Sequence, residues 1–180
     1  MRVTRALFVV VPFLGGCVDA FGTNDPHQPG EHLGTYHLTA KQKHNDCGSG
    51  ALGAPAVWEL DVKLAWGDGT IFWNSGGEVI SGSLSADRTK FDIQTDVVVD
   101  MRTDADAGKP PCSMARHDTA AGKLVLDGDA VSSASGALTY DFAPTSGSEC
   151  ADLVNSETPL FETLPCSIEY AFEAPRTGEY

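Results

Sequence analysis

Residues 57–66 read VWELDVKLAW, and in this stretch every second side chain is large and apolar. The apolar set is Trp58, Leu60, Val62, Leu64 and Trp66. The intervening set is mostly polar or small: Val57, Glu59, Asp61, Lys63 and Ala65. Side chains of a β-strand point alternately to the two faces of a sheet, so a period of two predicts a strand with one buried and one wet face.

The same alternation recurs along the chain. In 91–101 (FDIQTDVVVDM) the residues expected on the inner face are Phe91, Ile93, Thr95, Val97, Val99 and Met101. Shorter stretches of the same kind lie at 138–142 and 168–172, and weaker ones at 33–39, 70–74, 78–85, 113–117 and 123–127. About nine short strands, with no convincing helical period, predict one all-β domain over residues 33–180. We expect an antiparallel meander that forms a small β-barrel, with a β-sandwich as the alternative.

The amino terminus reads MRVTRALFVVVPFLGGC: two arginines, an apolar run, and small residues directly before Cys17. This order is typical of a cleavable signal peptide. Leu14-Gly15-Gly16-Cys17 resembles the lipobox of bacterial prolipoproteins, which implies a signal peptide over 1–16 and lipid on Cys17. Because one acyl chain holds a protein only marginally, the two or three chains of a lipoprotein imply stable anchoring in a membrane.

Residues 17–32 contain two prolines and few large apolar side chains, so they are predicted to be a lipidated cysteine followed by a flexible tether. Its reach is a couple of nanometres, at roughly 5–6 Å times the square root of its length. In lipoproteins an acidic residue directly after the lipidated cysteine favours retention at the inner membrane. Val18 occupies that position here, so the resemblance implies anchoring at the outer membrane of the cell envelope.

Four cysteines remain, Cys47, Cys112, Cys150 and Cys166, and an exported protein is expected to pair them in two disulfides. Three pairings are possible. If every turn between the nine candidate strands reverses the chain, Cys47 and Cys112 reach one end of the domain and the other two cysteines reach the opposite end. This parity argument predicts the pairs Cys47–Cys112 and Cys150–Cys166.

The chain carries 25 acidic and 12 basic side chains, so it repels phosphate backbones, and nucleic-acid binding is not expected. Motifs of serine hydrolases, zinc proteases and phosphate-binding loops are missing from the sequence. The segment Asp104-Ala105-Asp106-Ala107-Gly108 has two carboxylates and a glycine spaced as in a calcium-binding loop, but it lacks the other carboxylates of such a loop. We therefore predict no enzyme, no metal and no cofactor.

These observations predict a lipid-anchored envelope protein that acts as a non-catalytic structural or interaction module, with an envelope protein as its partner. The alternative is a carrier of small apolar ligands in a barrel cavity. Gly34-Thr35-Tyr36 resembles the glycine–aromatic opening of lipocalins. Five large aromatic side chains could line such a cavity: Trp58, Trp66, Trp73, Tyr140 and Tyr170. A packed core is the other interpretation of the same aromatic residues.

Overall fold

A computed structural model describes residues 29–51, 55–102 and 109–179, which form a closed antiparallel barrel. Each strand pairs with the next along the chain, and the last pairs with the first. The strands are β1 (Glu31–Asn45), β2 (Val57–Gly67), β3 (Thr70–Asn74), β4 (Ile80–Leu84), β5 (Lys90–Arg102), β6 (Cys112–Asp127), β7 (Ala130–Pro144) and β8 (Cys166–Gly178). The all-β prediction is confirmed, and the architecture is the barrel rather than the sandwich.

The first strand starts two residues before residue 33, the predicted start of the domain. β1 begins at Glu31, so the last two residues of the predicted tether belong to the barrel. The leader, Cys17 and residues 18–28 lie outside the described residues. A short 3-10 helix, Ala151–Leu153, sits within the connection between β7 and β8, where the sequence leaves room for a short helix.

Alternation in β2 holds as predicted except at Ala65, which lies on the outer face and is fully buried. Val62, Leu64 and Trp66 are buried, while Trp58 and Leu60 are half-buried and pack against the same core. Glu59 and Asp61 on the opposite face are exposed. The core therefore lies in the barrel interior, and the charged residues of β2 lie on its outer surface.

Both ends of the barrel are closed by side chains. At the lower end, where β1 begins and β8 ends, the Trp66 indole N–H donates to Glu31 at 2.9 Å and the Arg88 guanidinium lies 4.6 Å from the centre of the Trp66 ring. At the upper end, the connection 145–165 folds over the interior, and its buried Phe161 packs on Phe142 with ring centroids 5.5 Å apart. Side chains of the described residues thus cover part of each end of the barrel.

The strand count is where the sequence prediction fails. Candidate strands 113–117 and 123–127 are two parts of one continuous strand, β6, so the barrel has eight strands rather than nine. The glycine between them, Gly122, marks a close contact instead of a turn. A Cβ added there would lie 2.9 Å from Cζ of Phe91, whose ring needs that space.

Merging those two segments also corrects the disulfides, because it reverses the direction of every later strand. All four cysteines then lie at the upper end, and strand adjacency decides the pairing. Cys47 follows β1 and bonds Cys166 at the start of the neighbouring β8, with Cα atoms 5.0 Å apart. Cys112 begins β6 and bonds Cys150, which follows the neighbouring β7, with Cα atoms 5.1 Å apart. The predicted pairs Cys47–Cys112 and Cys150–Cys166 are wrong.

Peptide mapping of the oxidised protein should recover the Cys47–Cys166 and Cys112–Cys150 peptides. In the chain-entropy model, replacing both Cys47 and Cys166 by serine should lower the free energy of unfolding by about 5 kcal/mol, and replacing the other pair by about 4 kcal/mol, because the first bridge closes a longer loop. Denaturant titration measures both losses. Recovery of a Cys47–Cys112 peptide would contradict the pairing.

Candidate functional site

The β3–β4 hairpin is too short to cover its neighbours, and this leaves an opening in the barrel wall. β3 pairs only with Lys63–Gly67 of β2, and β4 pairs only with Phe91–Ile93 of β5. The first six residues of β2 and residues 94–102 of β5 therefore run on beyond the hairpin. Where the hairpin is present, β2 and β5 are three strand spacings apart, roughly 14 Å. We call the space between these two extensions the side opening.

Apolar side chains of β5 are exposed beside the side opening. Val97 and Val99 lie on the inner face, as predicted from their alternation, yet they are 36% and 47% exposed. Val98, on the outer face between Asp96 and Asp100, is 64% exposed. The expectation that the inner residues of β5 are buried holds for Phe91 and Ile93 and fails for Val97 and Val99, because the hairpin that would cover these valines has ended.

A half-open cavity of about 240 Å³ lies inside the barrel at the level of the side opening. Residues from β2 to β7 line it. Its apolar wall comprises Trp58, Leu60, Trp73, Ile80, Ile93 and Leu138, and its polar wall comprises Thr95, Arg116, Asp118 and Thr119. Pockets with a mostly apolar lining and a few placed polar groups are the usual form of ligand sites.

The polar wall centres on an ion pair between two residues of one strand. Arg116 and Asp118 lie two residues apart in β6, so both point inward. The Arg116 guanidinium donates through Nε and Nη2 to the two carboxylate oxygens of Asp118, both at 2.7 Å. The side chains are 27% and 20% exposed. This two-pronged geometry neutralises both charges and leaves three of the five guanidinium N–H groups for other partners.

Three aromatic rings meet beside this ion pair. The Trp58 ring lies 5.8 Å from that of Tyr140 and 5.6 Å from that of Tyr170, and the two tyrosines lie 6.2 Å apart. The Arg116 guanidinium lies 5.8 Å from the centre of the Tyr140 ring. The Trp58 indole nitrogen is buried without a hydrogen-bond partner and does not face the cavity.

The electrostatics of the cavity keep its phenol neutral. Burial, together with the nearby Asp118 carboxylate, raises the pKa of Tyr140 to about 12, while Arg116 acts in the opposite direction. Among the described residues that line the cavity there is no histidine, cysteine or lysine, and the one carboxylate, Asp118, is held by Arg116. The arrangement is suited to binding.

Other candidate residues fall in different places. Cys17, Asp104 and Asp106 lie outside the described residues. Within residues 29–51, 55–102 and 109–179, the one cluster with metal-ligand chemistry is Asp46 with Cys47 and Cys166, and its two sulfurs are joined in a disulfide. A search of the same residues for a helix long and apolar enough to cross a membrane finds none.

Of the predicted cavity aromatics, Trp58, Trp73 and Tyr140 line the cavity. Tyr170 is fully buried behind them, and Trp66 packs at the lower end. Sequence reasoning missed Arg116 and Asp118. Their position in the strand could have identified them. Both lie an even number of residues from Met114, Ala120 and Leu124, which are buried, so their side chains point to the same inner face.

Comparison with protein-family models, with curated proteins and with solved structures finds no match to this chain.

The unfolding free energy should fall as the pH rises from 10 to 12, because Tyr140 keeps its proton in the folded state up to about pH 12 while the unfolded chain loses it near pH 10. Burial also raises the pKa of Tyr36 to about 12, so Tyr36 contributes to the same fall in stability. Tyr140→Phe should reduce this fall by up to about 1.4 kcal/mol per pH unit. Denaturant titrations across this range, with phenolate absorbance of the native protein, measure the effect. An unchanged slope in Tyr140→Phe would contradict it.

Proposed function

We propose that this chain is a lipid-anchored protein of the bacterial cell envelope, and that its barrel is a non-catalytic interaction module that docks a partner at the side opening. The lipobox-like sequence ending in Cys17 supports the anchor. The outer membrane is the proposed location, because Val18 rather than an acidic residue follows that cysteine.

The observation that carries the docking proposal is the uncovered upper part of β5. Val97, Val98 and Val99 expose apolar surface on both faces of the strand, next to the cavity. Water-exposed apolar patches of this kind mark interaction surfaces in soluble proteins. A partner seated in the side opening would cover the valines and close the cavity together.

Backbone groups at the side opening support the same proposal. The carbonyl of Lys90 accepts from Ser85 at 2.9 Å towards β4, whereas that of Thr89 accepts from Leu124 at 2.9 Å towards β6. Because these directions alternate along a strand, the N–H and C=O groups of Asp96 and Val98 face the side opening. Among the described residues, β4 pairs with β5 only as far as Ile93, so it does not reach Asp96 or Val98. They are available to a partner.

A carrier of apolar ligands is less well supported by the geometry. Drug-sized ligand pockets usually span about 300–1,000 Å³. The cavity here is about 240 Å³ and contains the Arg116–Asp118 ion pair. An apolar ligand would remove water from that pair without replacing its hydrogen bonds, which opposes binding.

Replacement of Cys17 tests the anchor. Cys17→Ala should abolish incorporation of labelled fatty acid and release the protein from the membrane fraction, since the thiol is the proposed attachment point. Cys47→Ala, which removes a thiol of the barrel, serves as the control and should remain labelled. A Cys17→Ala protein that still incorporates fatty acid would refute the anchor.

A photo-crosslinking amino acid tests the docking surface. At position 98 it should give a discrete ultraviolet-dependent product in intact cells, because Val98 borders the side opening. At position 125 it should give none. Val125 is a matched control, being 50% exposed near the lower end of β6. Equal products at both positions, or none at 98, would contradict docking at the side opening.

A further inference from the structure

We propose that the cavity binds one neutral sugar unit of about hexose size, and that this sugar is what the interaction module recognises. The inference rests on the proposed docking at the side opening and deepens it by naming a ligand class. It is carried by three features of the cavity: its volume, its aromatic rings and its internally neutralised ion pair.

The ion pair argues for a polar but uncharged ligand. Arg116 and Asp118 satisfy each other's charge through two hydrogen bonds of 2.7 Å. An anion would have to compete with the Asp118 carboxylate, and a cation would have to sit close to the Arg116 guanidinium. A neutral hydroxyl meets neither penalty, and it can accept from a spare guanidinium N–H or donate to a carboxylate oxygen.

The aromatic rings argue for a ligand with an apolar face as well. Trp58 and Tyr140 both line the cavity, and their ring centroids lie 5.8 Å apart. Aromatic rings carry a negative face, which attracts the weakly positive C–H groups on one side of a sugar ring. A sugar has both elements, a C–H face for the rings and a rim of hydroxyls for Arg116 and Asp118.

Size restricts the ligand further. A cavity of about 240 Å³ has room for a single six-membered ring with its substituents, and it is half-open through the side opening. The neutral sugar can therefore be a free monosaccharide or one residue of a longer glycan whose neighbours stay outside. The shared chemistry is one neutral hexose-like ring in the cavity.

Binding can be measured on the full chain in a detergent without a sugar head group. The probes are neutral hexoses and N-acetylglucosamine, and linear oligosaccharides of the same sugars; choline, acetate and a short-chain fatty acid are the comparison probes. Saturation-transfer NMR and tryptophan fluorescence should show binding of at least one neutral sugar and none of the comparison probes. Tighter binding of the oligosaccharide identifies a glycan, and equal binding identifies a free sugar.

Two variants test the assigned contacts. Trp58→Leu removes the ring that the C–H face of the sugar would contact, so it should weaken sugar binding about tenfold. Trp66→Leu, the matched control at the lower end of the same strand, should leave binding unchanged. Asp118→Asn leaves the Arg116 charge unpaired, so it should weaken binding of the neutral sugar and create binding of its uronic acid.

Several results would overturn the inference: no neutral sugar bound in the millimolar range, a comparison probe bound in preference, or equal loss in Trp58→Leu and Trp66→Leu. Near-ultraviolet circular dichroism verifies that each variant is folded, and Trp58→Leu remains decisive if Asp118→Asn fails to fold. If no sugar binds but crosslinking is specific to position 98, only the ligand class is rejected. Failure of the crosslinking would reject the docking surface itself.

Discussion

Hydrogen bonds between β1 and β8 turn a row of strands into a closed ring, and a ring of antiparallel neighbours must contain an even number of strands. With eight strands, every second connection returns to the same end. The connections at the lower end are short, whereas the three longest connections and both disulfides lie at the upper end. Because each disulfide joins residues next to adjacent strands, the bridges reinforce the closure that brings them together.

The alternation of apolar residues was enough to predict an all-β barrel, and the core of β2 follows it closely. The error came from β6, where Arg116 and Asp118 take inward positions and Gly122 makes room for Phe91. These residues interrupt the apolar period, so one strand of 16 residues was interpreted as two. A count of nine is incompatible with a closed antiparallel meander, and applying that condition to the sequence would have merged the two segments.

The candidate site and the failed prediction have the same origin. Arg116 and Asp118 break the pattern because they place charge inside a barrel, which is tolerated only when the charges are paired. The short β3–β4 hairpin gives that pair access to solvent. Sequence patterns identify buried apolar faces well, but they do not report where a wall is incomplete, since that depends on the relative lengths of strands far apart in the chain. Natural sequences tend to depart from local rules where function requires it.

Both described chain ends leave the barrel at the lower end, where the Thr35 hydroxyl donates to the carbonyl of Glu179 at 3.0 Å. With the proposed lipid on Cys17, the tether joins the barrel at that end. β1 has 15 residues and, at the usual rise and tilt, spans about 40 Å along the barrel axis. The side opening therefore lies in the half of the barrel farther from the point where the proposed tether attaches. On the proposed anchor, this placement favours recognition of polymers in the aqueous layer beside the membrane over molecules embedded in it.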